Sequence, residues 1–207
     1  ICEMMEVAGA DRYITMDLHA GQIQGFFSIP GDVLSAYHII KPYLAERLPE
    51  LTNPVILTAD LGFAKHGRRY AMGLNIPLSF IEKRRIDNQD HTEALNLIGD
   101  VKHRDVILID DEVDTGGSIC EAVETAKLNG ARDVYVAFIH PVLSSNAVKR
   151  LAALPVKRFI TTNTIPLNES QKATLGDRLT VLSIGPLLGE VIKRTNQSTS
   201  VGVMFNE

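Results

Sequence analysis

VILIDDEVDTGGS, residues 106–118, runs an uninterrupted apolar stretch into Asp110, Asp111 and Glu112 and then into a Thr-Gly-Gly-Ser turn. An apolar run without polar alternation is the mark of a strand covered on both faces, as in parallel sheets flanked by helices. The segment that follows, ICEAVETAKLNG, has the composition of a helix, so the stretch predicts a strand–turn–helix unit. Side-by-side carboxylates repel, and burying either one unpaired is costly. A bound cation, a polyhydroxyl ligand, or plain exposure at the strand end would each account for them.

The same grammar repeats along the chain. Strands are expected at 12–18, 54–60, 77–84, 105–110, 133–140, 157–163 and 179–185, with helices at roughly 33–47, 63–73, 117–129, 144–153 and 187–195. This β-α-β rhythm predicts an α/β fold with a mostly parallel sheet flanked by helices. In such folds ligands collect beyond the carboxyl ends of the strands. Those exits carry Asp17 and His19, Asp60, Lys83 to Arg85, Asp110 and Asp111, and His140.

Composition narrows the class. The chain has 207 residues with a net charge of -4, against a nucleic-acid binder driven by overall positive charge. Only Cys2 and Cys120 are present, too few for a disulfide framework, and a cytoplasmic location is expected. No apolar run reaches membrane-spanning length and no signal-peptide pattern is visible, so neither nucleic acid nor membrane is an expected partner. ICEMMEVAGA begins inside a helix-like pattern closed by Gly9, which reads as the C-terminal portion of a longer protein.

Three features carry chemistry. In the first, Gly116 and Gly117 permit a tight turn whose amides, with the hydroxyls of Thr115 and Ser118 and the helix N-terminus behind, suit a phosphate. Asp110 and Asp111 are placed to take ribose hydroxyls, directly or through Mg²⁺. Walker A and GxGxxG signatures are both missing. A solvated acidic loop is the alternative. The second feature is MDLHAGQIQGFF (16–27), where His19 leaves a strand end and is able to share a cation with Asp60. Asp60 equally suits a cap for the following helix. Phe26 and Phe27 read as core or interface. The third is FIEKRRIDNQ (80–89), in which Lys83, Arg84 and Arg85 are either a solvated face or the cations that phosphoryl transfer needs. His38, His66, His91 and His103 read as surface or structural. No GxSxG elbow is present, and Cys120 falls on an amphipathic helix.

Together DRYITMDLHAGQIQGFFSIPGD, IEKRR, an IGDV strand (98–101), VILIDDEVDTGGS, GARDVYVAFIHPVLS and TTNTIPL resemble the ribose-phosphate pyrophosphokinase family. The resemblance implies a phosphoribosyltransferase-like (type I) fold and diphosphoryl transfer from ATP to the C1 hydroxyl of ribose 5-phosphate. It implies Mg²⁺ at His19 and Asp60, catalytic Lys83 and Arg85, and ribose 5-phosphate at Asp110, Asp111, Asp114, Thr115, Gly116, Gly117 and Ser118. Gln24 falls in a segment that the family uses near its regulatory site. A homo-oligomer of the family's hexamer-of-dimers type is implied. Residues 1–31 then belong to an N-terminal domain, 32–186 form a phosphoribosyltransferase-like C-terminal domain, and 187–207 pack back on the N-terminal domain. A phosphoribosyltransferase consuming the activated ribose, or a non-catalytic regulatory homologue, are the competing readings. Phe63 and Glu112 depart from the family's pattern.

Overall fold

The computed structural model describes residues 1–85 and 93–204, with the side chains of 83–85 and 93–95 outside that description. A short helix α1 (Cys2–Val7) leads to β1 (Tyr13–Met16), and β2 (Gly31–Leu34) pairs with β1 in parallel as a separate two-stranded sheet. The second strand takes the start of the expected 33–47 helix. Pro30 favours extended backbone just before it, and the helix α2 (Tyr37–Arg47) begins only after the Asp17 carboxylate accepts from the Ala36 amide.

The large sheet is built from β3 (Val55–Thr58), β4 (Leu78–Arg85), β5 (Glu93–Ile98), β6 (Val106–Glu112), β7 (Val134–His140), β8 (Arg158–Thr162) and β9 (Leu179–Leu182). Its order is β5-β4-β3-β6-β7-β8-β9, parallel throughout except for β5, which pairs antiparallel with β4 at one edge. The expected strand at 98–101 is thus displaced: it ends at Ile98 and the chain bends at Gly99. Crossovers run through α3 (Ala64–Leu74), α4 (Gly117–Leu128) and α5 (Ala147–Ala153).

Period-two alternation sorts the buried strands between two cores. Ile56, Ile107, Ile109, Ala137 and Ile160 face α2 and α3 with Tyr37, Ile40, Tyr70 and Leu74. Val55, Leu57, Val106, Leu108, Val136 and Phe138 face the other layer with Ile119, Val123, Leu151 and Leu175. Leu175 comes from α6 (Glu169–Leu175), a helix absent from the sequence expectation, started by a capping box in which Asn168 and Gln171 exchange hydrogen bonds. On α3, Gly67, Tyr70, Ala71 and Leu74 form the buried stripe. Gly67 is needed there, because a Cβ would collide with the Thr58 methyl on β3. A third small cluster joins the β1–β2 sheet to α7 (Gly185–Asn196) and the segment after it: Leu34, Val191 and Val201, with Ile14, Met16, Leu188 and Met204 against them.

Candidate active site

The parallel strands β3, β6 and β7 deliver their carboxyl ends to the same side, and the β1 exit crosses above them. One cleft of about 560 Å³ collects Asp17, His19, Gln24, Asp60, Phe63, His66, Arg69, Asp110 and Asp111. That volume suits a substrate-sized ligand.

β6 supplies the acids. Asp110 is half-buried; its Oδ1 accepts from the Asp111 amide. Burial, then the neighbouring Asp111 charge, push the Asp110 carboxyl up to about 8. Asp111 Oδ1 accepts from the Glu112 amide at 2.8 Å, while Oδ2 pairs with His19 Nδ1 at 2.9 Å. This ion pair, foremost the hydrogen bond and then the Asp111 charge, raises the His19 imidazole above its ordinary range. Glu112 Oε1 stands 3.9 Å from the same nitrogen and adds to the effect. Glu112, unaccounted for in the sequence, thus works on His19 from the β6 side.

The turn after β6 is braced from behind. Ser144 N–H donates to the Asp114 carbonyl at 3.0 Å, Leu143 N–H to the Val113 carbonyl at 2.9 Å, and Arg150 Nη1 to the Thr115 carbonyl at 3.3 Å. Carbonyls tied back in this way leave the amides of the turn to the opposite side. Gly116 takes φ +78° and heads α4, whose first-turn amides have no intrahelical acceptor. Thr115 to Ser118 therefore present a helix start of the kind that suits an anion.

Asp60 does what the cap alternative predicted: its Oδ1 accepts from the Phe63 amide at 2.9 Å, closing the turn before α3. It also lines the cleft with His19, so capping the turn does not remove it from the cleft. Phe63 stacks on His66 with centroids 4.8 Å apart. His66 is exposed, as a surface histidine is expected to be, and it also forms part of the cleft wall, which its sequence neighbourhood did not reveal. Arg69, also in the wall, lies 4.0 Å above the Tyr37 ring. Gln24 reaches the cleft from a 3₁₀ turn, Gly21–Phe26. Phe27 stacks on Tyr13 at 4.0 Å, whereas Phe26 is exposed. The backbone of Lys83, Arg84 and Arg85 forms the end of β4, opposite Leu95, Ala94 and Glu93; their side chains, and His91 entirely, lie outside the described residues.

Mg²⁺ can be tested against these residues. Among the described residues no group of three or more His, Cys, Asp or Glu side chains is gathered as a ready cage. Mg²⁺ does not require one, since it keeps waters and takes a carboxylate or two plus substrate phosphates. His19 has Nδ1 held by a carboxylate, which leaves Nε2 as the ligating atom, the arrangement usual for metal-bound histidines. A half-buried Asp110 forced upward beside Asp111 is also a pair that a cation would relieve. The residues fit the ion.

The chain is similar to known proteins over its whole length. Residues 87–206 match the family model described as phosphoribosyl synthetase-associated domain. The chain is 42% identical over 205 residues to a ribose-phosphate pyrophosphokinase of Helicobacter pylori, covering 99% of this chain and 62% of that protein. It is 38% identical over 207 residues to one of Clostridium acetobutylicum, covering 100% of this chain and 64% of that protein. The crystal structure of phosphoribosylpyrophosphate synthetase from Mycobacterium smegmatis superposes with a TM-score of 0.86 at 37% identity, over 95% of this chain and 62% of that one. The chain thus spans a little under two thirds of the length of these relatives. No helix among the described residues is long and apolar enough to cross a membrane. With that match covering more than half of its length, the chain belongs to the phosphoribosyl synthetase-associated domain family.

Proposed function

We propose that this protein transfers the diphosphoryl group of ATP to the C1 hydroxyl of ribose 5-phosphate, giving phosphoribosyl pyrophosphate and AMP. The observation that carries the reading is the convergence of His19 and Asp60 with Asp110 and Asp111 in one cleft, at the head of the Thr115–Ser118 turn. Ribose 5-phosphate then lies with its hydroxyls toward Asp110 and Asp111. Its phosphate lies on Asp114, Thr115, Gly116, Gly117 and Ser118. Both oxygens of Asp111 already accept one hydrogen bond, and each keeps a second lone pair for a ligand. His19 and Asp60 hold Mg²⁺, which supplies charge neutralisation on the ATP phosphates. Lys83 and Arg85 are assigned the cationic role in the transfer by resemblance and by their place at the end of β4.

The division proposed with it is 1–31, 32–186 and 187–207; the contacts of α7 with Ile14 and Met16 favour the last packing on the first, while β2 carries that sheet across the 31/32 boundary to Leu34. Gln24 is assigned to regulation, and a cytoplasmic homo-oligomer is the expected assembly.

The test is direct. The full-length protein is incubated with Mg-ATP and ribose 5-phosphate, and AMP is measured. AMP formed together with phosphoribosyl pyrophosphate supports the reading. No AMP, with consumption of phosphoribosyl pyrophosphate when a nucleobase is supplied, would replace it with a phosphoribosyltransferase. Neither activity would leave a regulatory subunit.

A further inference from the structure

His140 ends β7 and has no part in the roles assigned above. Its half-buried ring bridges two elements. Nε2 lies 2.9 Å from the Asp17 carbonyl oxygen. A carbonyl only accepts, so Nε2 carries a proton. Nδ1 lies 3.0 Å from Thr164 Oγ1, a hydroxyl able to donate to it. Thr164 is itself fixed, its amide donating to Thr162 Oγ1 at 3.1 Å. The ring is therefore braced from behind and aims one N–H at the main chain of Asp17.

Asp17 is an unusual residue to grip. Its φ is +37°, a left-handed conformation that residues with a Cβ rarely adopt. Its amide donates to the Leu34 carbonyl, and its carboxylate accepts from Ser35 Oγ at 2.9 Å and the Ala36 amide at 2.6 Å. Those partners all belong to the segment that begins with β2. Among the described residues, the hydrogen bond reaching Asp17 from the large sheet is that of His140. Two residues later stands His19, whose partner Asp111 also belongs to the large sheet.

We propose that His140 is a positioning residue: by holding the Asp17 carbonyl it fixes the left-handed turn that delivers His19 to Asp111. The functional half of this proposal rests on His19 serving diphosphoryl transfer; the geometric half does not.

The test compares His140→Gln with His140→Asn in the full-length protein. A glutamine amide nitrogen reaches about where Nε2 stands and can donate to Asp17. An asparagine reaches only about as far as Nδ1. Imidazole ¹⁵N spectra of histidine-labelled protein read the His19–Asp111 pair directly, while steady-state assays give kcat and the KM for ribose 5-phosphate. In His140→Asn, kcat should fall about 10- to 100-fold, the usual scale for removing support of a metal-bound histidine. The KM for ribose 5-phosphate should stay within about twofold, since the phosphate turn is braced independently. The His19 signal should move toward free histidine. His140→Gln should restore both kcat and the His19 signal. An unchanged His19 signal in folded His140→Asn overturns the proposal. So does an equal loss of kcat in both variants accompanied by a raised KM, which would mark general disruption. If the wild-type protein makes no AMP, the functional reading fails, and the spectra alone still decide the positioning role.

Discussion

Gly116→Ala isolates the backbone contribution of the phosphate turn. A Cβ built at Gly116 meets its nearest atoms, Ala147 Cα and Cβ, at 3.8 Å, which is ordinary contact. Sterically the methyl fits, so the cost is conformational. At φ +78° an L-residue is disfavoured by about 1–2 kcal/mol. That penalty has two places to appear. If the unliganded turn keeps its conformation, stability falls, offset by about 0.4–1 kcal/mol because alanine restricts the unfolded chain. If the turn relaxes until phosphate binds, stability holds and the affinity for ribose 5-phosphate drops about 5- to 30-fold, the equivalent of 1–2 kcal/mol. Calorimetric titration with ribose 5-phosphate and urea denaturation, run on the same full-length variant, measure the two shares. Affinity within about 1.5-fold of wild type, together with a stability raised by the full unfolded-state gain of about 0.4–1 kcal/mol, would refute the assignment of this turn as a strained phosphate cradle.

Other perturbations address the scaffold and the ion pair. Asp105 is fully buried and accepts from Arg132 Nε at 2.7 Å, Arg132 Nη2 at 2.8 Å and the Thr52 amide at 2.8 Å. Burial pushes its carboxyl up, but the Arg132 fork and the Thr52 amide outweigh burial and hold it below the usual range. Asp105→Ala should cost about 2–3 kcal/mol, the low end for breaking a buried pair because Arg132 is half exposed and regains water. The difference from wild type should persist above about pH 4 and shrink as pH falls through the lowered folded value, as pH-dependent urea melts would show. Gly67→Ala should be neutral to about 2 kcal/mol destabilising, overpacking against Thr58 exceeding the helix-propensity gain. Adding Thr58→Ser, which removes the obstructing methyl, should recover the loss in a double-mutant cycle. Asp111→Asn should lower the His19 titration midpoint toward about 6.5 in an NMR pH series. Because the wild-type value is raised, the stability that this pair contributes is complete below about pH 6.5 and disappears as pH rises through the folded value.

The parallel core was legible because VILT and VILI are buried on both faces, and such strands show no alternation to mislead. EALNLI was not legible as β5, since Glu, Ala and Leu favour helix and only its pairing with β4 makes it extended. GDVL was too short to separate from the helix after it. The α6 helix had a readable start in Asn168 and Gln171, a local signal passed over in favour of the apolar periodicity. At the site, the strand-exit rule located Asp110, Asp111, Asp60 and His19. Their partnership was hidden, because His19 and Asp111 are 92 residues apart in sequence and meet only through the fold. His66 looked unremarkable until α3 turned it toward the cleft.

The small cluster of Leu34, Val191 and Val201 also sets an order of events during synthesis. The β1–β2 pair leaves the ribosome early, yet Val191, Val201 and Met204, which seal its apolar side, emerge only after every strand of the large sheet. The segment bearing His19 cannot acquire its full support until those last residues are available. A ribosome stalled before residue 191 would expose a chain able to complete the acid pair and the phosphate turn while its histidine arm remained without cover. Support of the histidine arm is thereby linked, through that cluster, to synthesis as far as residue 204.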